Sequence, residues 1–244
     1  MRNPGTIRTL EDGRRWNGLA YVHDTFQPGC TCDTCRPTPP RDTPWGRSDH
    51  ATEIIRGMWT VSTPSHGGIW LSPERLAAVP DYLQRSWAGA PWFEEDVDWC
   101  IPFVVFEAEL LLVQDEYTAA TLKGNMHRDT LRNWRPDDYE RFYGVRLQPG
   151  ESMTRDEDTF YREHAQDWLV FSACTNSSYH HVPAGMVEVS ATRGRRGNEL
   201  PKDTRTFLVP AEEYSGTPGA HHRPWRHAFI VDLNRHQEVT NAAL

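Results

Sequence analysis

Residues Trp59 to Arg75 read WTVSTPSHGGIWLSPER, and this stretch decides the fold class. Met58 to Ser62 alternates apolar and polar side chains with the period of two that marks a half-buried strand. Thr63-Pro64-Ser65-His66-Gly67-Gly68 has the composition of a turn, and Ile69-Trp70-Leu71 supplies the returning strand of a hairpin. Ser72 then offers a hydroxyl cap to a helix, with Pro73 at its first position and Glu74 in its first turn. A hairpin followed at once by a capped helix predicts antiparallel strands and helices in one chain.

Working outward, Pro80 ends this helix, and Asp81 to Trp87 reads as a second short one with Leu83 and Trp87 facing inward. Asp96 to Phe106 fits a strand by composition. The spacing of Trp99, Phe103 and Phe106 favours a buried helix, capped by Asp96 or Asp98. Asp115 to Tyr143 is helical, interrupted at Gly124 and Pro136. A charged helix at Arg155–Gln166 leads into four apolar runs: Trp168–Cys174, Gly185–Thr192, Thr204–Val209 and Ala228–Leu233. Separated by turn-rich loops, these read as an antiparallel sheet, with one helical turn at Pro210–Tyr214. The predicted class is α+β: a mixed, mostly antiparallel sheet with helices packed on it. It forms a single domain over residues 48–244, preceded by an irregular arm at residues 1–47.

Composition narrows the function classes. The chain has 244 residues, enough for one good-sized core or a main domain with an appendage. Its longest apolar stretch, Cys100 to Val113, is interrupted by Pro102, Glu107 and Glu109 and falls short of the ~20 residues of a membrane helix. The first residues lack the apolar core of a secretory signal. A soluble cytoplasmic protein with no membrane association is expected. The net charge of -8 disfavours general nucleic-acid binding, which draws its affinity from cationic contacts to phosphate. The local basic run Arg193-Gly194-Arg195-Arg196 is expected to be a solvated loop. Ten tryptophans suggest a core or lid rich in indole.

Three groups of residues carry candidate chemistry. His66 sits among hydroxyls and two glycines, while Glu94, Glu95, Asp96 and Asp98 crowd between aromatic residues. A histidine oriented by a carboxylate is a general base at neutral pH. His66 is therefore the candidate catalytic base, with Glu95 or Asp96 orienting it and Ser65, Gly67, Gly68 and Glu94 contacting a ligand. In the plainer alternative His66 closes a hairpin turn, Gly67 and Gly68 supply positive φ, and the acids begin a helix. The second group is Cys30, Cys32 and Cys35 with His23, a donor set for a tetrahedral structural zinc site; the alternative is a reduced, exposed cysteine loop. The third comprises His180, His181, His221, His222, His227 and His236, expected to be mostly solvated. Cys174 beside Asn176 and His180 or His181 raises a thiol hydrolase.

The blocks WGRSDH (Trp45–His50), STPSHGGIWLSPER (Ser62–Arg75) and WFEEDVDW (Trp92–Trp99) together resemble the domain-of-unknown-function family numbered 7007. So do Trp134-Arg135-Pro136-Asp137, Val182–Gly194, Phe207–Tyr214 and Phe229–Asp232, so that the likeness covers about residues 45–240. The cysteine arm is outside it. The resemblance implies a phage, plasmid or integrative-element origin and an accessory role, with no recorded activity. Two functions follow as expectations. One is a His/acid cleft that binds a small polar ligand or does hydrolytic acid–base chemistry. The other is a non-enzymatic interaction protein whose acidic, tryptophan-rich surface (Trp87, Trp92 and Phe93 beside the acids) engages a host or defence-system protein.

Overall fold

Alternation along residues 50–71 builds the first sheet. The computed structural model describes residues 37–175, 182–195, 203–216 and 229–239, together with the backbone of three two-residue strands that precede them. Those three, β1 (Arg8–Thr9), β2 (Arg15–Trp16) and β3 (Tyr21–Val22), pair antiparallel in sequence order. A tight hairpin follows, β4 (Asp42–Thr43) and β5 (Gly46–Arg47), turned at Gly46 with φ +118°. Short paired strands thus occur within the segment read as an irregular arm, β3 falling in its one apolar patch, Leu19–Val22, which suits a strand by composition. Cys30, Cys32, Cys35 and His23 lie outside the described residues.

Strands β6 (His50–Ile55), β7 (Met58–Ser62), β8 (Gly67–Leu71) and β9 (Trp92–Glu94) form a four-stranded antiparallel sheet in that order. The β7–β8 hairpin is the one read from the sequence, and α1 (Pro73–Ala78) follows it, capped by the Ser72 hydroxyl, which accepts from the Arg75 N–H. The next predicted helix is reduced to a 3-10 turn at Asp81–Leu83. Leu83 is buried as expected, but Trp87 is 90% exposed. Its backbone N–H instead donates to the buried Asp98 carboxylate at 2.6 Å.

The ambiguous stretch resolves as helix: α2 (Cys100–Val105) and α3 (Glu107–Leu110), with Cys100, Ile101, Phe103 and Val104 buried. Neither Asp96 nor Asp98 caps α2; Trp99 holds that position with no side-chain bond. Then come α4 (Glu116–Lys123), α5 (Met126–Trp134) and α6 (Pro136–Tyr143), broken where Gly124 and Pro136 predict.

The chain divides into two compact units, residues 1–132 with 137–142, and residues 133–136 with 143–244. The second contains α7 (Met153–Glu163) and a separate antiparallel sheet of β10 (Trp168–Thr175), β11 (Met186–Arg193), β12 (Thr204–Pro210) and β13 (Gln237–Glu238), with α8 (Ala211–Gly216) after β12. The strands thus occupy separate sheets, and every pairing is antiparallel. The predicted fourth strand at Ala228–Leu233 contributes only a single bridge, Leu169 to Ile230; β13 takes the edge instead. Trp168, Val189, Phe207, Val209, Phe229 and Val231 are the centre of this unit's core.

Arg193 and Arg195 of the basic run are exposed, as expected of a solvated stretch, and Arg195 is in addition held by two acids. Gly194 turns the chain at φ +61°, and the Arg195 guanidinium bonds Asp158 at 2.6 Å and Glu157 at 3.0 Å on α7. His236, by contrast, is buried: its Nδ1 accepts the Asp232 N–H and its Nε2 lies 3.3 Å from Glu213. The remaining C-terminal histidines fall outside the described residues. Among the described residues, no helix is long and apolar enough to cross a membrane.

Candidate functional site: a cleft on the first sheet

Period-two alternation and the strand register give the β6–β9 sheet two distinct faces. Val61, Trp59, Trp70 and Trp92 share one face, where Trp45 from the β4–β5 hairpin packs edge-on against Trp92, ring centroids 5.7 Å apart. The other face carries two rows of aligned residues. His50 pairs with Ser62 and Ser62 with Gly67; Glu95 continues this row, its N–H donating to the Gly67 carbonyl at 3.2 Å. Thr52, Thr60, Ile69 and Phe93 form the next row. The Thr60 hydroxyl donates to the Thr52 carbonyl at 3.2 Å, tying β7 to β6 there.

These rows floor a cleft of about 580 Å³. Its other wall is aromatic and apolar: Trp99 and Phe103 at the start of α2, Tyr117 on α4 and Met126 on α5. Trp99 and Phe103 meet edge-to-face with centroids 5.3 Å apart. Such a volume falls within the range typical of small-molecule pockets.

The sequence-predicted residues are distributed unevenly around this cleft. Gly67, Gly68 and Glu95 line it. His66 does not. Its main chain closes the hairpin: the carbonyl accepts the Thr63 N–H and hydroxyl, each at 2.8 Å, and its N–H donates back to that hydroxyl at 3.2 Å. The imidazole is exposed, with Nδ1 3.8 Å from a Glu95 carboxylate oxygen, beyond hydrogen-bond reach. Ser65 is an exposed turn residue outside the lining. Glu94 folds its carboxylate onto the chain ahead of it, accepting the N–H groups of Asp96 at 2.6 Å and Val97 at 3.3 Å. Burial pushes the Glu94 carboxyl pKa up, and the two backbone bonds pull it back. Asp96 is exposed and outside the cleft, so of the four clustered acids only Glu95 lines it.

The glycines serve packing rather than the positive φ expected of them, since neither has one. A Cβ on Gly68 would overlap the Phe93 carbonyl on β9 and come within 2.6 Å of the Trp45 ring. A Cβ on Gly67 would lie 2.9 Å from both a Glu95 carboxylate oxygen and the Val61 carbonyl. Gly68 thus lets β9 and Trp45 close on β8, and Gly67 leaves room for Glu95.

His50, Thr52, Val61, Ile69, Trp99, Phe103, Tyr117 and Met126 also line the cleft, where the sequence had not placed them. Thr60 and Ser62 were visible as one side of an alternating strand. Which residues of β6 would stand beside them depended on a register that no single segment encodes. The exposed aromatic patch expected of the rival reading does not form as a trio, because Trp92 and Phe93 are buried and only Trp87 is exposed. Asn176, His180 and His181, the partners read for Cys174, lie outside the described residues. The Cys174 thiol faces Glu188 at 3.7 Å, and burial, then that carboxylate, push its pKa up. Among the described residues, no cluster of three or more histidine, cysteine or acidic side chains is placed to hold a metal.

No curated protein and no solved structure matches the chain. Residues 38–165, more than half of it, match a family described as a domain of unknown function. The later sequence blocks, Val182–Gly194, Phe207–Tyr214 and Phe229–Asp232, lie beyond the matched stretch, whereas every residue lining the cleft lies within it. The protein belongs to the DUF7007 family, and the cleft is part of the domain that defines that family.

Proposed function

We propose that the protein is a binding protein for a small polar ligand, accommodated in the cleft between the β6–β9 sheet and the helices α2, α4 and α5. The family resemblance suggests the setting, an accessory protein of a phage or other mobile element. The observation that carries the reading is the pair of rows on one sheet face. They present His50, Ser62, Thr60 and Glu95 to a space walled by aromatic side chains.

Binding is favoured over hydrolysis by the separation of the acid and the bases. The dyad expected from the sequence, an imidazole oriented by a carboxylate, needs the two in hydrogen-bond contact. The imidazole nearest Glu95 belongs to His66, which is exposed, outside the cleft and 3.8 Å away. The histidine within the cleft, His50, is three strand positions from Glu95, about 14 Å between backbones at the usual strand spacing. Two groups that far apart read the two ends of one ligand.

A fragment screen by saturation-transfer NMR tests this, run on the wild type and on Ser62→Trp. Ser62 is an exposed strand residue, and tryptophan there fills the cleft floor while suiting a strand. Hits lost in Ser62→Trp are the expected result. Hits retained in full would place binding elsewhere and remove the proposal.

A further inference from the structure

The cleft's charge and wall chemistry narrow the ligand further, on the premise that it is a binding site. Glu95 stands at one end of the polar row with its side chain half exposed. Its ionic neighbour among the described residues is the exposed His66 imidazole, too distant to hydrogen-bond. Among the described residues, none that lines the cleft is a lysine or arginine. An anionic ligand would therefore meet a carboxylate with no fixed cation to offset it. Glu94 and Asp96 flank Glu95, and the whole chain carries a net charge of -8, so the surrounding field has the same sign.

The opposite wall adds a second, independent preference. Trp99, Phe103 and Tyr117 present π systems, whose negative faces attract ammonium and guanidinium groups, tryptophan most strongly. Tyr117 is two-thirds exposed and Phe103 is buried, and both line the cleft. The hydroxyl of Ser62 and the free lone pairs of Thr60 offer acceptors for N–H donors. A carboxylate, π faces and hydroxyl acceptors around one small cavity are the complement of a cation with an apolar body.

We infer that the cleft selects a small organic cation, an amine or guanidine whose charged group meets Glu95 and whose apolar body lies along Trp99, Phe103 and Tyr117. The test is calorimetric titration of the intact protein with three probes of one shape: phenethylamine (cation), phenethyl alcohol (neutral) and phenylacetate (anion). The wild type is expected to bind the cation about tenfold more tightly than the alcohol and the anion weakest of all, a modest ratio because Glu95 is half exposed. Glu95→Gln should bring cation and alcohol to within about twofold, since it keeps the shape and removes the charge. A blocked Gly-Arg-Gly peptide distinguishes the two sources of such a group. Tighter binding of phenethylamine than of the peptide assigns a free small molecule, and the reverse assigns an arginine side chain on another protein. Either order upholds the cation.

Equal binding of cation and alcohol, a cation preference that survives Glu95→Gln, or binding of none of the probes overturns the inference. In those cases the cleft stands or falls separately, on the Ser62→Trp fragment screen. Probe binding that persists in Ser62→Trp would remove both readings together.

Discussion

Gly68 shows at the scale of one residue why a glycine pair beside a histidine misleads. The pattern Ser-His-Gly-Gly reads equally as a ligand cradle or as a positive-φ turn, and Gly68 lines the cleft with no positive φ. Its missing Cβ makes room for the Phe93 carbonyl and the Trp45 ring. Gly68→Ala should cost about 2–3 kcal/mol in urea unfolding, because backbone and a packed indole cannot yield cheaply. Gly67→Ala should cost less, since one of its two close atoms is a half-exposed carboxylate that can swing away. His127 makes a second residue-scale case. It is fully buried on α5, neither ring nitrogen has a well-formed hydrogen bond, and Nε2 lies 3.5 Å from Glu107, itself held by Arg128. Burial lowers its pKa, with Glu107 pulling in the opposite direction. The unfolded chain therefore takes up a proton near the ordinary histidine value that the folded chain refuses. The stabilising difference is intact above about pH 6.5 and is lost as pH falls below it, by at most about 1.4 kcal/mol per unit. Denaturation midpoints measured from pH 7.5 to 5 should show this slope in the wild type, and His127→Leu should flatten it. An unchanged slope in that variant would exclude His127 as its source.

Individual elements were legible wherever their signals were local. The β7–β8 hairpin, the Ser72 cap and the breaks at Gly124 and Pro136 all rest on residues within one turn or one strand of the feature they specify. Ser72→Ala is expected to cost about 1 kcal/mol, since α1 is only six residues long and buries none of its own residues, so the cap is a large part of its support. A stability change within experimental error would mean that the β8 connection, and not the cap, fixes α1. Asp81–Trp87 failed for the complementary reason. Leu83 and Trp87 have helical spacing, but Asp98, eleven residues on, captures the Trp87 N–H and leaves the indole outside. Trp87→Ser should therefore leave stability unchanged within about 0.5 kcal/mol, whereas Asp98→Ala should cost about 1–3 kcal/mol by leaving a part-buried N–H unpaired. The same logic explains the cleft. Glu95 and Ser62 could be picked out from local sequence, but His50 joins them only through the β6–β7 register, and the aromatic wall only through the packing of three helices.

At the scale of the whole molecule, sequence periodicity cannot say how many cores a chain builds. Apolar runs from Met58 to Phe106 and from Trp168 to Val231 look alike in composition, and a single antiparallel sheet would accommodate both. The coordinates divide them instead between two units. Val61, Trp70 and Trp92 cluster in one, and Trp168, Val189, Phe207 and Phe229 in the other. A unit with its own buried core can lose stability on its own account. Phe207 is fully buried at the centre of β12, where it faces Val189 on β11 and packs against the Trp168 ring. Phe207→Ala should cost about 3–5 kcal/mol through lost burial and the cavity left behind. Hydrogen exchange read by mass spectrometry locates that loss. Faster exchange is expected in the peptides of β10, β11 and β12, with those of β7 and β8 keeping wild-type protection. Deprotection spread evenly over both sheets would mean that the two cores unfold as one cooperative body. The cleft, whose lining residues all belong to the first unit, would then depend for its stability on a sheet that contributes nothing to its walls.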